Sequence, residues 1–334
     1  MMDCASSSGL KFSSLFLASF TFLLPLSFLA PLSLFPVLSL LICECLLPCG
    51  GTDICCWKSL PNARADCQMP NSYTHYHDEN VTDPHLRATG AISVLPLGAH
   101  EQHGPHLPFE TDTLIAAGIV SRLAAVLPAH LPVSFLPVEP VGYSIEHMDV
   151  PGTKTLCYDE AIERWLGIAE AEYEKGVRKF VMLNAHGGNS PLMTIVATEA
   201  RARFGMLAVA TSWTRFGVPA DIVKPQDKAV DIHGGDIETS VMLALHPERV
   251  VMEKAANFPS RQSDFSQRFS HLRAYGPHAF GWLMSDLNPD GVAGNAAAAS
   301  AGKGERLISH AVNGLLELLE DVHAFDITLF HNKI

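Results

Sequence analysis

Ala91-Ile92-Ser93-Val94-Leu95-Pro96-Leu97 is an apolar run that leads through Gly98-Ala99-His100 into Glu101-Gln102-His103-Gly104-Pro105-His106-Leu107-Pro108 and on to Thr111-Asp112. A short apolar run closed by turn residues reads as a buried strand. Glu101 and His103 stand two apart, so in an extended segment both project to one side. Asp112 returns from the start of the next helical pattern. Carboxylate and imidazole donors gathered in this way, with no cysteine among them, suit zinc, manganese or iron(II). The chemistry they point to is hydrolysis by metal-activated water.

The surrounding pattern alternates. Pro132–Val138, Lys179–Asn184 and Met206–Trp213 read as further strands. Thr111–Leu127, Tyr158–Lys175, Ser190–Phe204, Asp236–Leu245 and Gly302–Phe325 read as helices. Thr111 is the expected N-cap of the first helix and Gly176 the expected C-cap of the second. Strands alternating with helices of this length predict an α/β fold, a mostly parallel central sheet covered on both faces. In such sheets the site lies beyond the carboxyl ends of the strands. Glu101 and His103 follow the first strand and His186 the third.

Two further clusters carry donors. Asn184-Ala185-His186-Gly187-Gly188-Asn189 ends a strand, and its paired glycines permit close backbone approach. His186 is the candidate ligand, and Asn189 is open to a second reading as the cap of the following helix. Asp231-Ile232-His233-Gly234-Gly235-Asp236-Ile237-Glu238-Thr239-Ser240 places His233 and Glu238 at a loop–helix junction. His233 is the candidate acid–base catalyst. Glu238, facing an apolar interior, would need a partner such as a cation; the plainer alternative is that Asp236 and Glu238 complement the helix N-terminus. His100 and His106 lie near the first cluster, His106 as a structural residue or a partner to a ligand.

Composition narrows the partners. The 334 residues are 48% hydrophobic and 17% charged, enough for a sizeable core. With 23 Lys+Arg against 35 Asp+Glu the net charge is −12, and no basic run is present, which argues against nucleic acid. Seven of the 8 cysteines (Cys4, Cys43, Cys45, Cys49, Cys55, Cys56 and Cys67) precede residue 68, leaving Cys157 alone in the region that carries the motifs. A catalytic region with one thiol has no disulfide framework and suggests a cytoplasmic setting. Residues 1–68 differ in kind from the rest. Residues 12–43 hold no charged side chain and are long enough to span a bilayer, but Pro25, Pro31 and Pro36 interrupt a helix there. This extension is open to three readings: a signal or membrane anchor, a disordered segment, or sequence that is not native coding sequence at all. An anchor or export signal would change the expected location.

Taken together the three clusters resemble the creatininase family, creatinine amidohydrolases and their relatives, over residues 86–320. The segment Tyr143-Ser144-Ile145-Glu146-His147, followed by Pro151-Gly152-Thr153, is similar to the family's active-site loop. The resemblance implies a three-layer α/β/α fold in a catalytic domain of residues 86–325. It implies two divalent metal ions, Zn, Mn or Fe. Glu101 and His186 would bind one, His103 the other, and Asp112 would bridge them. His233 matches the catalytic histidine, and Glu238 is a further candidate as catalytic group and ligand. Trp213, Tyr143 and His147 are the expected substrate contacts, for a small-molecule amide. A homohexamer is the implied assembly. The chain departs from creatininase proper at Gly188, where a glutamate ligates the second metal, at Gly187, where a tyrosine stands, and at Ala229, where a pocket tryptophan stands. The expected reaction is therefore hydrolysis of a cyclic or linear C–N amide bond, creatininase-like, with a formamidopyrimidine deformylase-like or peptidase-like activity as alternatives. A non-catalytic metal-binding scaffold is the alternative of another class.

Overall fold

The computed structural model describes residues 90–330. The extension at 1–68, its apolar run at 12–43 and the predicted first residues of the catalytic domain at 86–89 lie outside the described residues. Four parallel strands, β1 (Ile92–Leu97), β2 (Val133–Phe135), β3 (Lys179–Asn184) and β4 (Leu207–Ser212), form a sheet in the order β2-β1-β3-β4. Helices α1 (Thr111–Val126), α2 (Tyr158–Glu174) and α3 (Ser190–Phe204) connect them.

The burial pattern explains why the central strands read as unbroken apolar runs. Alternate side chains point to opposite faces, and both faces are covered. Ile92 and Val94 of β1 and Val181 and Leu183 of β3 pack with Ile115 and Ile119 of α1 and with Leu307, Ile308 and Leu315 of the long helix Ala301–Ala324. Leu95, Leu97, Phe180 and Met182 face the other way, onto Trp165 and Leu166 of α2 and Met193 and Val196 of α3. The result is the three-layer α/β/α arrangement.

Register positions the site. Leu97 pairs with Asn184 and Asn184 with Ser212, so β1, β3 and β4 end side by side. The loops that leave these ends carry Glu101, His186 and Trp213. The edge strand β2 is shorter than the predicted 132–138. Its ladder ends at Phe135, Leu136 N still donates to Val94 O at 2.9 Å, and the next bond to β1 comes one residue late, from Glu139 N to Pro96 O at 2.9 Å. Two predicted caps also differ. Thr111 is the first helical residue of α1 rather than its cap, and its hydroxyl donates back to Pro108 O at 2.6 Å. Asn189 makes no capping bond to α3. A second sheet, antiparallel and only two residues per strand, pairs Asn257–Phe258 with Gly294–Asn295. Its strands are too short to show a periodicity, and the sequence pattern does not announce it. Among the described residues no helix is long and apolar enough to cross a membrane.

Candidate metal centre

Glu101 is fully buried, and one of its oxygens collects the imidazoles. Its Oε1 lies 3.1 Å from His186 Nδ1, 3.4 Å from His147 Nε2, 3.6 Å from His233 Nδ1 and 4.0 Å from His103 Nε2. Asp112, in the first turn of α1, divides its two oxygens. Oδ1 is 3.6 Å from His103 Nε2 and Oδ2 is 3.7 Å from His186 Nδ1. Glu238 Oε2 is 3.7 Å from His103 Nε2. Three sets of donor atoms lie close enough together to hold an ion: Glu101, Asp112 and His186; His103, His233 and Glu238; and Glu101, His147 and His233.

Backbone carbonyls set the tautomers. His103 Nδ1 donates to Glu101 O at 3.0 Å, His186 Nε2 to Tyr143 O at 2.9 Å and His233 Nε2 to Gln102 O at 2.7 Å. In each ring the other nitrogen is left to face the carboxylates, the arrangement that metal-ligating histidines adopt. Loop geometry makes this possible. Gly104 has φ +76°, and a Cβ there would lie 2.2 Å from Val292. The turn after β3 is held by Asn184 and Asn189. Asn189 donates to Gly98 O and accepts from Tyr143 N at 2.9 Å, so it ties the β1 and Tyr143 loops to the turn instead of capping α3. Asp231 accepts from Asp236 N at 2.7 Å and Ile237 N at 3.4 Å, fixing the start of the helix Asp236–Leu245 that carries Glu238.

The electrostatics are those of a cluster built around positive charge. Burial works against ionisation of Glu101, yet the facing imidazoles of His147, His186 and His233 hold its carboxyl well below the usual range. Burial opposes the charged form of His103, but Asp112, Glu238 and Glu101 push it up to about 9. His186 is raised well above its ordinary value by Glu101, then Asp112 and Glu146, against burial. Burial raises Asp112 and Glu238, the latter to about 7. Burial and the neighbouring imidazoles His103 and His147 push His233 well down, so it stays neutral. Protons on His103 and His186 thus supply the positive charge, and a cation at the same atoms would release them. With the rings in their neutral tautomers, several atoms here are buried with no hydrogen-bond partner: both oxygens of Glu101, His103 Nε2 and Asp112 Oδ2. Unsatisfied buried donors and acceptors are costly, and these are the atoms that would ligate. The donor set fits divalent cations.

The remaining predicted residues fall as follows. His147 is 1% exposed and lies inside the cluster, its ring tilted against that of His233 with centroids 4.2 Å apart. Tyr143 reaches the centre through its carbonyl, while its ring packs against the core on the α2–α3 side. Trp213 is 4% exposed and packed in the core on the α1 side. His106 is buried, bonded to Thr239 Oγ1 at 2.9 Å, one residue from Glu238. Asp236 pairs with Lys303 and accepts from Ser240 Oγ. Glu146, quoted in the sequence motif without a role, faces His186.

Fold and site together fit a metal-dependent hydrolase with an α/β/α architecture. Residues 79–319 match the family model "Creatininase: Creatinine amidohydrolase". The chain belongs to the creatininase family and is an enzyme of the class that hydrolyses C–N bonds. It is 29% identical over 241 residues to the mycofactocin precursor peptide peptidase of Mycolicibacterium smegmatis, spanning 72% of this chain and 88% of that one. To the creatinine amidohydrolase of Pseudomonas putida it is 27% identical over 252 residues, spanning 71% and 91%. The structure of the manganese form of creatininase superposes with a TM-score of 0.58 at 22% identity, covering 71% of this chain and 92% of that one, which shows the shared fold.

Proposed function

We propose that this chain is a dinuclear-metal amidohydrolase in which Glu101, Asp112 and His186 hold one divalent cation and His103, Asp112 and Glu238 the other. The observation that carries this reading is the convergence of unpartnered buried donors, Glu101 Oε1 and Oε2, His103 Nε2 and Asp112 Oδ2. The two oxygens of Asp112 each face a different imidazole, as a bridging carboxylate must. Glu238, which accepts from Gly234 N at 2.7 Å and lies on the His103 side, supplies the carboxylate that Gly188 cannot.

Two such cations, when bound, supply a Lewis acid for the amide carbonyl and lower the pKa of a water between them. The chain's own groups do the rest. His233 is neutral, and its Nε2–H is committed to Gln102 O, so Nδ1 is free to take a proton and pass it to the leaving nitrogen. His147, beside His233 and Glu101, completes the proton-handling wall. The enclosed setting strengthens each of these interactions.

Peptide hydrolysis is the second reading. It is favoured by glycine at 187 and 188 and alanine at 229, where creatininase proper has side chains around its small ring, and by the similarity to the mycobacterial peptidase. We place the catalytic domain at residues 86–325, in a homohexamer and in the cytoplasm. Size measurement tests the assembly, and membrane fractionation with mass spectrometry of the first residue tests the location. The deciding experiment couples metal analysis to an activity panel of creatinine, formamidopyrimidines and peptides with a C-terminal aromatic residue. Stoichiometric metal with turnover of one substrate is expected. Stoichiometric metal with no amide hydrolysed would favour the scaffold alternative, and no metal would end the proposal.

A further inference from the structure

The two glycines after His186 are not equivalent. A Cβ on Gly187 would meet nothing within 4 Å, whereas one on Gly188 would lie 2.3 Å from Glu146 Oε1, 2.5 Å from His186 Nε2 and 2.6 Å from Tyr143 O. The space over the His186 ring that residue 188 leaves open is filled by a carboxylate from another loop. Glu146 sits in the 3-10 turn Ile145–His147, its side chain 15% exposed, with Oε1 3.4 Å from His186 Nε2. That nitrogen also meets Tyr143 O at 2.9 Å and Ser144 Oγ at 3.4 Å. The placement is built. Tyr143 N donates to Asn189 Oδ1 at 2.9 Å and Ser144 N to Thr155 Oγ1 at 2.8 Å, which anchors the loop just before Glu146.

We infer that Glu146 is a positioning residue of the metal centre: seated where glycine at 188 makes room, its carboxylate joins the Tyr143 carbonyl in holding the Nε2–H of His186, so that Nδ1 presents its lone pair to the cation shared with Glu101 and Asp112. The inference rests on the metal centre proposed above. An anionic neighbour on the far nitrogen fixes the ring's orientation and makes the ligating nitrogen more basic, and loss of such a partner costs about 10- to 100-fold in metal affinity. It also links two positions far apart in sequence. A side chain at 188 and a carboxylate from 146 compete for one volume, and in this chain that volume holds Glu146.

The test is zinc titration of the full chain against a chromophoric chelator, with wild type, E146Q, E146A and E163Q on the exposed face of α2 as control. E146A should weaken one of the two bound equivalents by about 10- to 100-fold and the other much less. E146Q, which keeps an oxygen but loses the charge, should fall between E146A and wild type. The control should match wild type. Unchanged affinities in E146A overturn the inference. Equal weakening of both equivalents, accompanied by a lower metal-free melting temperature, also overturns it, because that is loss of fold rather than of one ligand's aim. If E146A fails to fold, E146Q decides alone, and wild-type affinity for both equivalents in that variant refutes the role. A wild-type chain that takes no zinc removes the metal-centre reading itself.

Discussion

Replacing Asp112 with asparagine keeps the size of the side chain and removes one charge from the middle of the site. Oδ1 and Oδ2 face His103 and His186 at 3.6 and 3.7 Å, so a single substitution reaches both proposed cations. Two unit charges 4 Å apart at an effective dielectric of about 20 attract by about 4 kcal/mol. Taken as a lower bound for a ligand in direct contact, that is about three decades of affinity at each cation. The metal-free protein should not suffer equally. Asp112 is buried and its carboxyl is raised by that burial, so the neutral amide relieves a desolvation cost. The two effects separate in a melting assay. At a metal concentration 100 times the dissociation constant, each bound cation stabilises the fold by about 2.7 kcal/mol. Two give about 5 kcal/mol, and a domain of this size gains about 2–4 °C per kcal/mol. The wild type should therefore melt about 10–20 °C higher with metal than without, and D112N should show almost none of that rise. Calorimetry with metal titration reads both numbers. A D112N chain that still binds two cations with wild-type affinity would refute the bridging role.

H233A should retain both cations and lose about 10²–10⁴-fold in kcat; a variant that loses metal instead would make His233 a ligand, as its place in two of the donor sets allows. E238Q should weaken the cation on the His103 side while leaving the His186 side near wild type, which sequential chelator competition resolves. Metal-free stability should depend on pH through Asp231. Burial, with Glu238 nearby, raises its carboxyl from 3.8 to about 7. A group whose folded pKa is raised contributes most below its unfolded value, and the contribution is lost as pH rises through the folded one. Stability from this group should therefore fall between about pH 4 and 7, and D231N, which keeps an acceptor for Asp236 N, should flatten the slope in urea denaturation.

The layering was legible in sequence, and so was the gathering of candidate donors at the strand ends. Strands covered on both faces are largely apolar, as β1 and β3 are, and the loops beyond their carboxyl ends carry the candidate donors. Helix α3 and the strand Lys179–Asn184 have the bounds their patterns predict. Less was legible where tertiary contact overrides local preference. Thr111 has the side chain of a cap but is drawn into the helix, its hydroxyl spent on Pro108 O. Asn189 stands where a cap would stand and instead clamps Gly98 and Tyr143. The nearness of His147 to His233, with ring centroids 4.2 Å apart, depends on two loops meeting.

Sequence by itself determined the α/β class and named Glu101, His103, Asp112, His186 and Glu238 as candidate ligands, because periodicity and donor chemistry are properties of short segments. Tertiary structure alone decided which ring nitrogen faces inward, which Asp112 oxygen meets which imidazole, and that the room left by Gly188 belongs to Glu146. Those facts depend on loops from different strand ends meeting in three dimensions, and no spacing along the chain encodes such a meeting.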